Sequence, residues 1–164
     1  MLECVGFKPC VNKNSRILIL GSMPSIKSLK EQQYYAHPQN RFWKLMAKLL
    51  NYRKTPEDYH DKIKMLLDNN IALWDAIASC DRKGSLDTAI QNEIPNDFTA
   101  FLDKYKSIRT ICFNGGKSYQ SFKKYNEELL KKVKYTYFAM PSTSPANARF
   151  RLDMLYEKWA KMFG

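Results

Sequence analysis

A layered α/β domain on a mainly parallel sheet is the fold class this sequence predicts. Short β-rich apolar runs alternate with segments of helical periodicity. The 164 residues, 45% hydrophobic and 13% aromatic, suffice to fill one core, so a single domain spanning 1–164 is expected. The first strand is Arg16 to Leu20, running directly into Gly21-Ser22-Met23-Pro24-Ser25. Phe42, Leu45, Met46 and Leu49 recur at i, i+3, i+4 and i+7 and mark a helix. Pro56, at a helical first turn, opens another that ends near Asn69-Asn70, and the second strand is Ile71 to Trp74. A third helix presents Phe98, Phe101, Leu102 and Tyr105 on one face, with Asn96 as its expected cap. The third strand, Ile108 to Phe113, meets Asn114-Gly115-Gly116 and a helix carrying Tyr119 and Phe122. Tyr135 to Ala139 is the last strand. Pro141 to Asn147 reads as a stiff, hydroxyl-rich loop, before a closing helix with Leu152, Leu155, Tyr156 and Trp159 at core spacing.

Lysine and arginine number 27 against 16 acidic residues, a formal charge of +11. A surplus of that size on a small domain points to a polyanionic partner, against the plainer reading of a solvated basic face. The basic residues are spread through the folded region rather than gathered in a tail. Cys4, Cys10, Cys80 and Cys112 form no CxxC pair, and with only His37 and His60 no zinc spacing can be assembled. No metal is expected, and the cysteines read as thiols of a reducing compartment. The start, Met1-Leu2-Glu3-Cys4, lacks the basic and then apolar profile of a signal peptide. The longest apolar runs fall far short of the ~20 residues of a membrane span. Cytoplasmic residence and no membrane contact are the resulting expectations.

In open parallel sheets, ligands sit outside the carboxyl ends of the strands. Four segments stand there, beginning at Gly21, Asp75, Asn114 and Pro141. The first supplies a tight turn with backbone donors. Beyond it, Tyr34-Tyr35 beside His37-Pro38 reads as a stacking platform for a flat base, and Asn40 carries both a donor and an acceptor. Asn40 reads equally as the cap of the following helix. Asp75 is either an N-cap or an acceptor for a base N–H. Asn114-Gly115-Gly116-Lys117-Ser118 invites a phosphate-loop reading but fails it, because Ile111 stands where that motif needs glycine. The Pro141 loop suits phosphate contact, with Arg149 just beyond it, or caps the last helix as a Ser/Thr turn.

Taken together, Gly21-Ser22-Met23-Pro24-Ser25, Tyr34-Tyr35-Ala36-His37-Pro38-Gln39-Asn40-Arg41-Phe42-Trp43, Leu73-Trp74-Asp75, Pro95-Asn96-Asp97-Phe98, Phe113-Asn114-Gly115-Gly116-Lys117 and Pro141-Ser142-Thr143-Ser144-Pro145-Ala146-Asn147 resemble the hypoxanthine-DNA glycosylases. These form a branch of the uracil-DNA glycosylase superfamily. The likeness runs from about Gly6 to the final helix, with the motifs in family order. The segment from His37 to Trp43 is also similar to that of mismatch-specific uracil and thymine glycosylases.

The resemblance implies a three-layer α/β/α sandwich on a short, mainly parallel four-stranded sheet. It implies a cofactor-free hydrolase, acting as a monomer on DNA with deaminated bases and leaving an abasic site. Asn40 and Asn114 match catalytic positions. Gly21, Ser22, Met23, Tyr35 and Asp75 match the base pocket, with Tyr35 stacking on the flipped base. Ser25, Lys117, Ser142, Thr143, Ser144, Pro145 and Arg149 match expected DNA contacts. Two departures stand out. Met23 occupies a position that is often Asp or Asn, and a thioether can neither orient nor deprotonate water, so that duty is expected to shift to Asn40. No leucine stands in Thr143-Ser144-Pro145, where many relatives carry their DNA wedge. Preference for uracil or mismatched thymine, and a non-catalytic DNA-binding module, are the competing readings.

Overall fold

The computed structural model describes residues 3–163. The chain runs β1 (Glu3–Val5), β2 (Ile17–Gly21), α1 (Ile26–Glu31), α2 (Phe42–Leu49), α3 (Tyr59–Asp68), β3 (Ile71–Asp75) and β4 (Ile77–Asp81). A 3-10 turn at Asp87–Ala89 precedes β5 (Gln91–Pro95), α4 (Phe98–Lys104), β6 (Thr110–Asn114), α5 (Gly116–Tyr125), α6 (Glu127–Leu130), β7 (Thr136–Met140) and α7 (Leu152–Trp159). Four strands form an all-parallel sheet in the order β3-β2-β6-β7, with Ile17 opposite both Ile71 and Thr110.

Strand side chains alternate between the two faces, and here both faces are covered. Ile19, Ile71, Leu73 and Cys112 pack with Phe42, Leu45 and Met46 of α2, Met65 and Leu66 of α3, and Leu155 and Trp159 of α7. Their strand neighbours Leu18, Leu20, Ala72, Ile111 and Phe113 pack with Phe98, Phe101 and Leu102 of α4 and Phe122 of α5. The result is the α/β/α sandwich. Burial on both sides explains why these strands read as unbroken apolar runs rather than alternating ones.

A second, three-stranded antiparallel sheet in the order β1-β4-β5 was not legible in the sequence. Its strands are short, and Gln91-Asn92-Glu93-Ile94-Pro95 is mostly polar and leaves one face in solvent. Only Ala76 separates β3 from β4. Its N–H donates to the Gly21 carbonyl at 2.8 Å, and that of Ile77 to the Ser22 carbonyl at 3.1 Å. The small sheet rests on a minor core of Cys4, Met23, Ala76, Ile77 and Cys80, and its β4–β5 connection carries residues 82–90.

Two helix starts differ from expectation. The cap of α4 is Asp97, whose carboxylate accepts from the Ala100 N–H at 3.0 Å. Asn96 instead donates its side-chain amide to the Asp75 carbonyl at 2.8 Å, so it braces β3 rather than the helix. Pro56 lies ahead of α3, which starts at Tyr59 after Asp58. Glycine is required at 115, where φ is 98° and a Cβ would meet that of Ser142 at 3.1 Å. Among the described residues, no helix is long and apolar enough to cross a membrane.

Candidate functional site

The last residues of the four parallel strands, Gly21, Asp75, Asn114 and Met140, all line one cavity of about 1030 Å³. Its position is the one expected for a ligand of an open parallel sheet. Every other expected site residue except Lys117 also lines it.

One wall is a chain of hydrogen bonds whose direction is set by the backbone. The Phe42 N–H donates to Asn40 Oδ1 at 3.0 Å, and the Thr143 N–H to Asn114 Oδ1 at 2.9 Å. A backbone N–H can only donate, so both side-chain amides have their oxygens identified. Asn114 Nδ2 then donates to Thr143 Oγ1 at 3.0 Å and to the Tyr35 hydroxyl at 3.1 Å. Thr143 Oγ1 in turn donates to Asn40 Oδ1 at 2.8 Å. The oxygen of Asn40 thereby accepts two bonds, and its NH2 is the remaining polar group of that side chain. Asn40 thus acts both as the brace of α2 and as the end of this chain. Both amide hydrogens of Asn114 are spent within the protein.

Thr143 is fully buried and is an interior link of this chain of bonds. The rest of its loop is self-bonded. Ser142 Oγ accepts from the Ser144 N–H and Ser144 Oγ from the Ala146 N–H, each at 3.1 Å. Asn147 donates to the Ser142 carbonyl at 3.0 Å. Arg41, which sequence reasoning passed over, clamps the loop by donating to the Ser144 carbonyl at 2.7 Å and that of Asn147 at 3.2 Å. Ser142, Ser144 and Pro145 remain on the cavity lining, and Arg149 stands exposed beside them.

The tyrosine pair divides. Tyr34 is core, 3% exposed, with its hydroxyl donating to the Lys8 carbonyl at 3.0 Å. Tyr35 lines the cavity with its ring stacked on Phe42 at 4.1 Å between centroids. Its φ of 54° is a left-handed conformation that a bulky residue rarely adopts, and such strain gathers at functional positions. Burial, and then the neighbouring Asp75, push its hydroxyl pKa well above the ordinary range.

The other wall is built differently. Asp75 is 3% exposed, ends a strand rather than starting a helix, and has no bonding partner for Oδ2. Its N-cap reading therefore falls away. Burial, followed by the charge of Asp87, pushes its pKa from 3.8 to about 7, against the opposing pull of Arg82. Gly21 is adjacent: a Cβ there would come within 2.5 Å of Asp75 Oδ1 and 2.9 Å of the Tyr35 hydroxyl. Asp87 and Arg82 carried no signal in the polar stretch from Asp81 to Asp87. Asp87 accepts from Ser22 Oγ at 2.6 Å, while Arg82, 2% exposed, donates to the Pro24 carbonyl and leaves Nε and Nη1 unpartnered.

Met23 packs into the minor core and also lines the cavity. Ser25 lines the cavity while capping α1, its hydroxyl accepting from the Ser28 N–H at 3.1 Å. Lys117 is not brought to the cavity. Its ammonium meets Glu93 Oε1 at 2.7 Å on the flank of α5, and Ser121 donates to Oε2 at 2.6 Å. Burial alone would raise the Glu93 pKa, but those bonds outweigh it and hold the carboxyl below its ordinary value. The lysine expected to meet DNA is thus committed to an internal ion pair. Among the described residues, a cluster of metal-type ligands, Asp58, His60 and Asp61, lies exposed near the start of α3 and off the cavity.

A family model of the uracil DNA glycosylase superfamily matches residues 9–162. A hypoxanthine DNA glycosylase of Methanosarcina acetivorans is 38% identical over 158 residues, covering 96% of each chain. One of Methanosarcina barkeri is 34% identical over the same length, again covering 96% of both. The solution NMR structure of a candidate uracil DNA glycosylase from Methanosarcina acetivorans superposes with a TM-score of 0.81 at 36% identity. That match covers 99% of this chain and 100% of the other.

Proposed function

This chain belongs to the uracil DNA glycosylase superfamily, and from that membership we propose that it is a DNA repair glycosylase that everts a deaminated base, hypoxanthine first, and hydrolyses its bond to deoxyribose. The observation that carries the choice of base is Asp75, a buried carboxylate on the cavity with one oxygen unbonded. A buried polar atom without a partner costs about 1–3 kcal/mol, and more if charged, so a ligand donor there is worth most. Hypoxanthine carries a proton on N1 and adenine does not. An ionised Asp75 accepts from the first and has nothing to accept from the second.

Eversion costs a few kcal/mol, less for a mispaired base. Stacking on Tyr35 returns about 1 to 3 kcal/mol, and cations around the rim add phosphate contacts that weaken with salt. With its oxygen filled by Phe42 and Thr143, Asn40 works through its NH2, donating to one lone pair of a water and leaving the other to attack the anomeric carbon. The base leaves with the bonding electrons, water oxygen bonds to the sugar, and a water proton is transferred to the departing base. Asn40 orients and does not ionise, so the rate depends on how good a leaving group the base is. Asn114 acts as a positioning residue for Tyr35 and Thr143.

The direct test is incubation with duplexes carrying deoxyinosine, deoxyuridine or deoxyadenosine, with the freed base measured by mass spectrometry. Hypoxanthine is expected in excess over the other two. Release of no base from any of the three sinks the proposal. A product strand cut without alkali would show a lyase step that this reading does not contain.

A further inference from the structure

Among the described large apolar side chains left in solvent, Leu86 (58% exposed) and Ile26 (51% exposed) are the two that line the cavity. Neither belongs to any of the core clusters. Yet the backbone under Leu86 is tied down on both sides. Ser85 Oγ accepts from the Ile26 N–H at 2.9 Å, and Asp87 Oδ1 accepts from Ser22 Oγ at 2.6 Å. An uncovered leucine whose two neighbours are both fastened to the cavity wall is held ready for something that will cover it. The rim supplies the character of that partner, because Lys30 and Arg149 line the same opening, both exposed, and favour a polyanion.

The loop expected to fill the gap in the duplex has no exposed apolar side chain larger than alanine, its Pro145 being half-buried. Thr143 is buried, the hydroxyls of Ser142 and Ser144 are spent on turns, and the exposed side chains beyond them, Ala146 and Ala148, are small. Proteins that unstack DNA do so with apolar wedges such as leucine and isoleucine. We propose that Leu86, with Ile26 beside it, enters the base stack of the duplex at the place vacated by the everted nucleotide. This inference rests on the base-everting function proposed above.

The test places 2-aminopurine next to deoxyinosine in a duplex and compares the full-length protein with Leu86→Ala and Leu86→Met. Binding of the unsubstituted protein should raise the emission of the analogue as its stacking is broken. Leu86→Ala should lose most of that rise, and Leu86→Met should keep it. The ratio of excision from duplex to excision from single strand should fall at least tenfold in Leu86→Ala. The site is exposed, so an unchanged melting temperature is expected to certify the fold. An equal rise in Leu86→Ala, or no rise with the unsubstituted protein, overturns the wedge. So does an equal fall on both substrates. If no base is freed from either, the glycosylase reading fails, while the fluorescence still decides whether Leu86 enters the stack.

Discussion

On the wall of the cavity that carries Asn40, Thr143 and Asn114, each side-chain oxygen and both hydrogens of the Asn114 amide are committed to bonds between 2.8 and 3.1 Å. On the wall that carries Asp75, one carboxylate oxygen has no partner at all, and behind it, off the cavity lining, two guanidinium nitrogens of Arg82 lack one as well. The contrast separates two tasks. A group that must hold a water in one orientation gains from a network with a single allowed hydrogen-bond direction. A group that must recognise a ligand is kept under-bonded, because the ligand then supplies what the protein lacks.

Removing the end of the bonded wall is the largest disruption available. Asn40→Ala takes away the NH2 to which we assign the water and strands the Phe42 N–H and the Thr143 hydroxyl. Single-turnover release of hypoxanthine is expected to drop about 100-fold or more, the scale seen when one preorganised donor is lost. A variant retaining full rate would reduce Asn40 to a brace for α2.

The under-bonded wall should answer in the opposite way. Asp75→Asn offers adenine N1 a donor that the carboxylate lacks, so selectivity for hypoxanthine over adenine should fall about tenfold. Stability should rise. Raising the folded-state pKa from 3.8 to about 7 means the folded chain retains a proton that the unfolded chain gives up. The associated stabilisation is complete below 3.8 and is lost as pH climbs through 7, a difference of at most roughly 4 kcal/mol. At pH 8 the asparagine variant is therefore expected to melt several degrees higher, with the gap closing toward pH 4. Hypoxanthine release should itself increase as pH passes through 7 and Asp75 ionises. A flat profile would remove Asp75 from the recognition step.

A smaller effect is expected at the middle of the bonded wall. Thr143→Val removes one of the two bonds to Asn40 Oδ1 and leaves that from Phe42. kcat should fall about fivefold with KM within twofold, and Thr143→Ser should restore it. A change in KM alone would return Thr143 to a DNA-contacting role.

What the sequence disclosed follows the same division. Strands buried on both faces must be apolar throughout, so the runs Arg16 to Leu20 and Ile71 to Trp74 were readable, and with the two later strands their carboxyl ends led to Gly21, Asp75, Asn114 and the Pro141 loop. The second sheet was not, because three- and five-residue strands with a solvent face leave too little periodicity. Asp87, Arg82 and Leu86 ride on that sheet and were lost with it. Lys117, placed among the DNA contacts by the family resemblance, meets Glu93, which is 24 positions away in the chain and gave no local sign of the pairing.

Ala76 alone separates the two sheets at the carboxylate, so Asp75, in register with Gly21 of the parallel sheet, stands one residue from the start of β4 in the other. Lengthening the chain by even one residue at this joint would rotate the strand that follows and carry the 82–90 loop out of line with the cavity. This one-residue spacer is a ruler that fixes how far the Asp75 carboxylate stands from the rim.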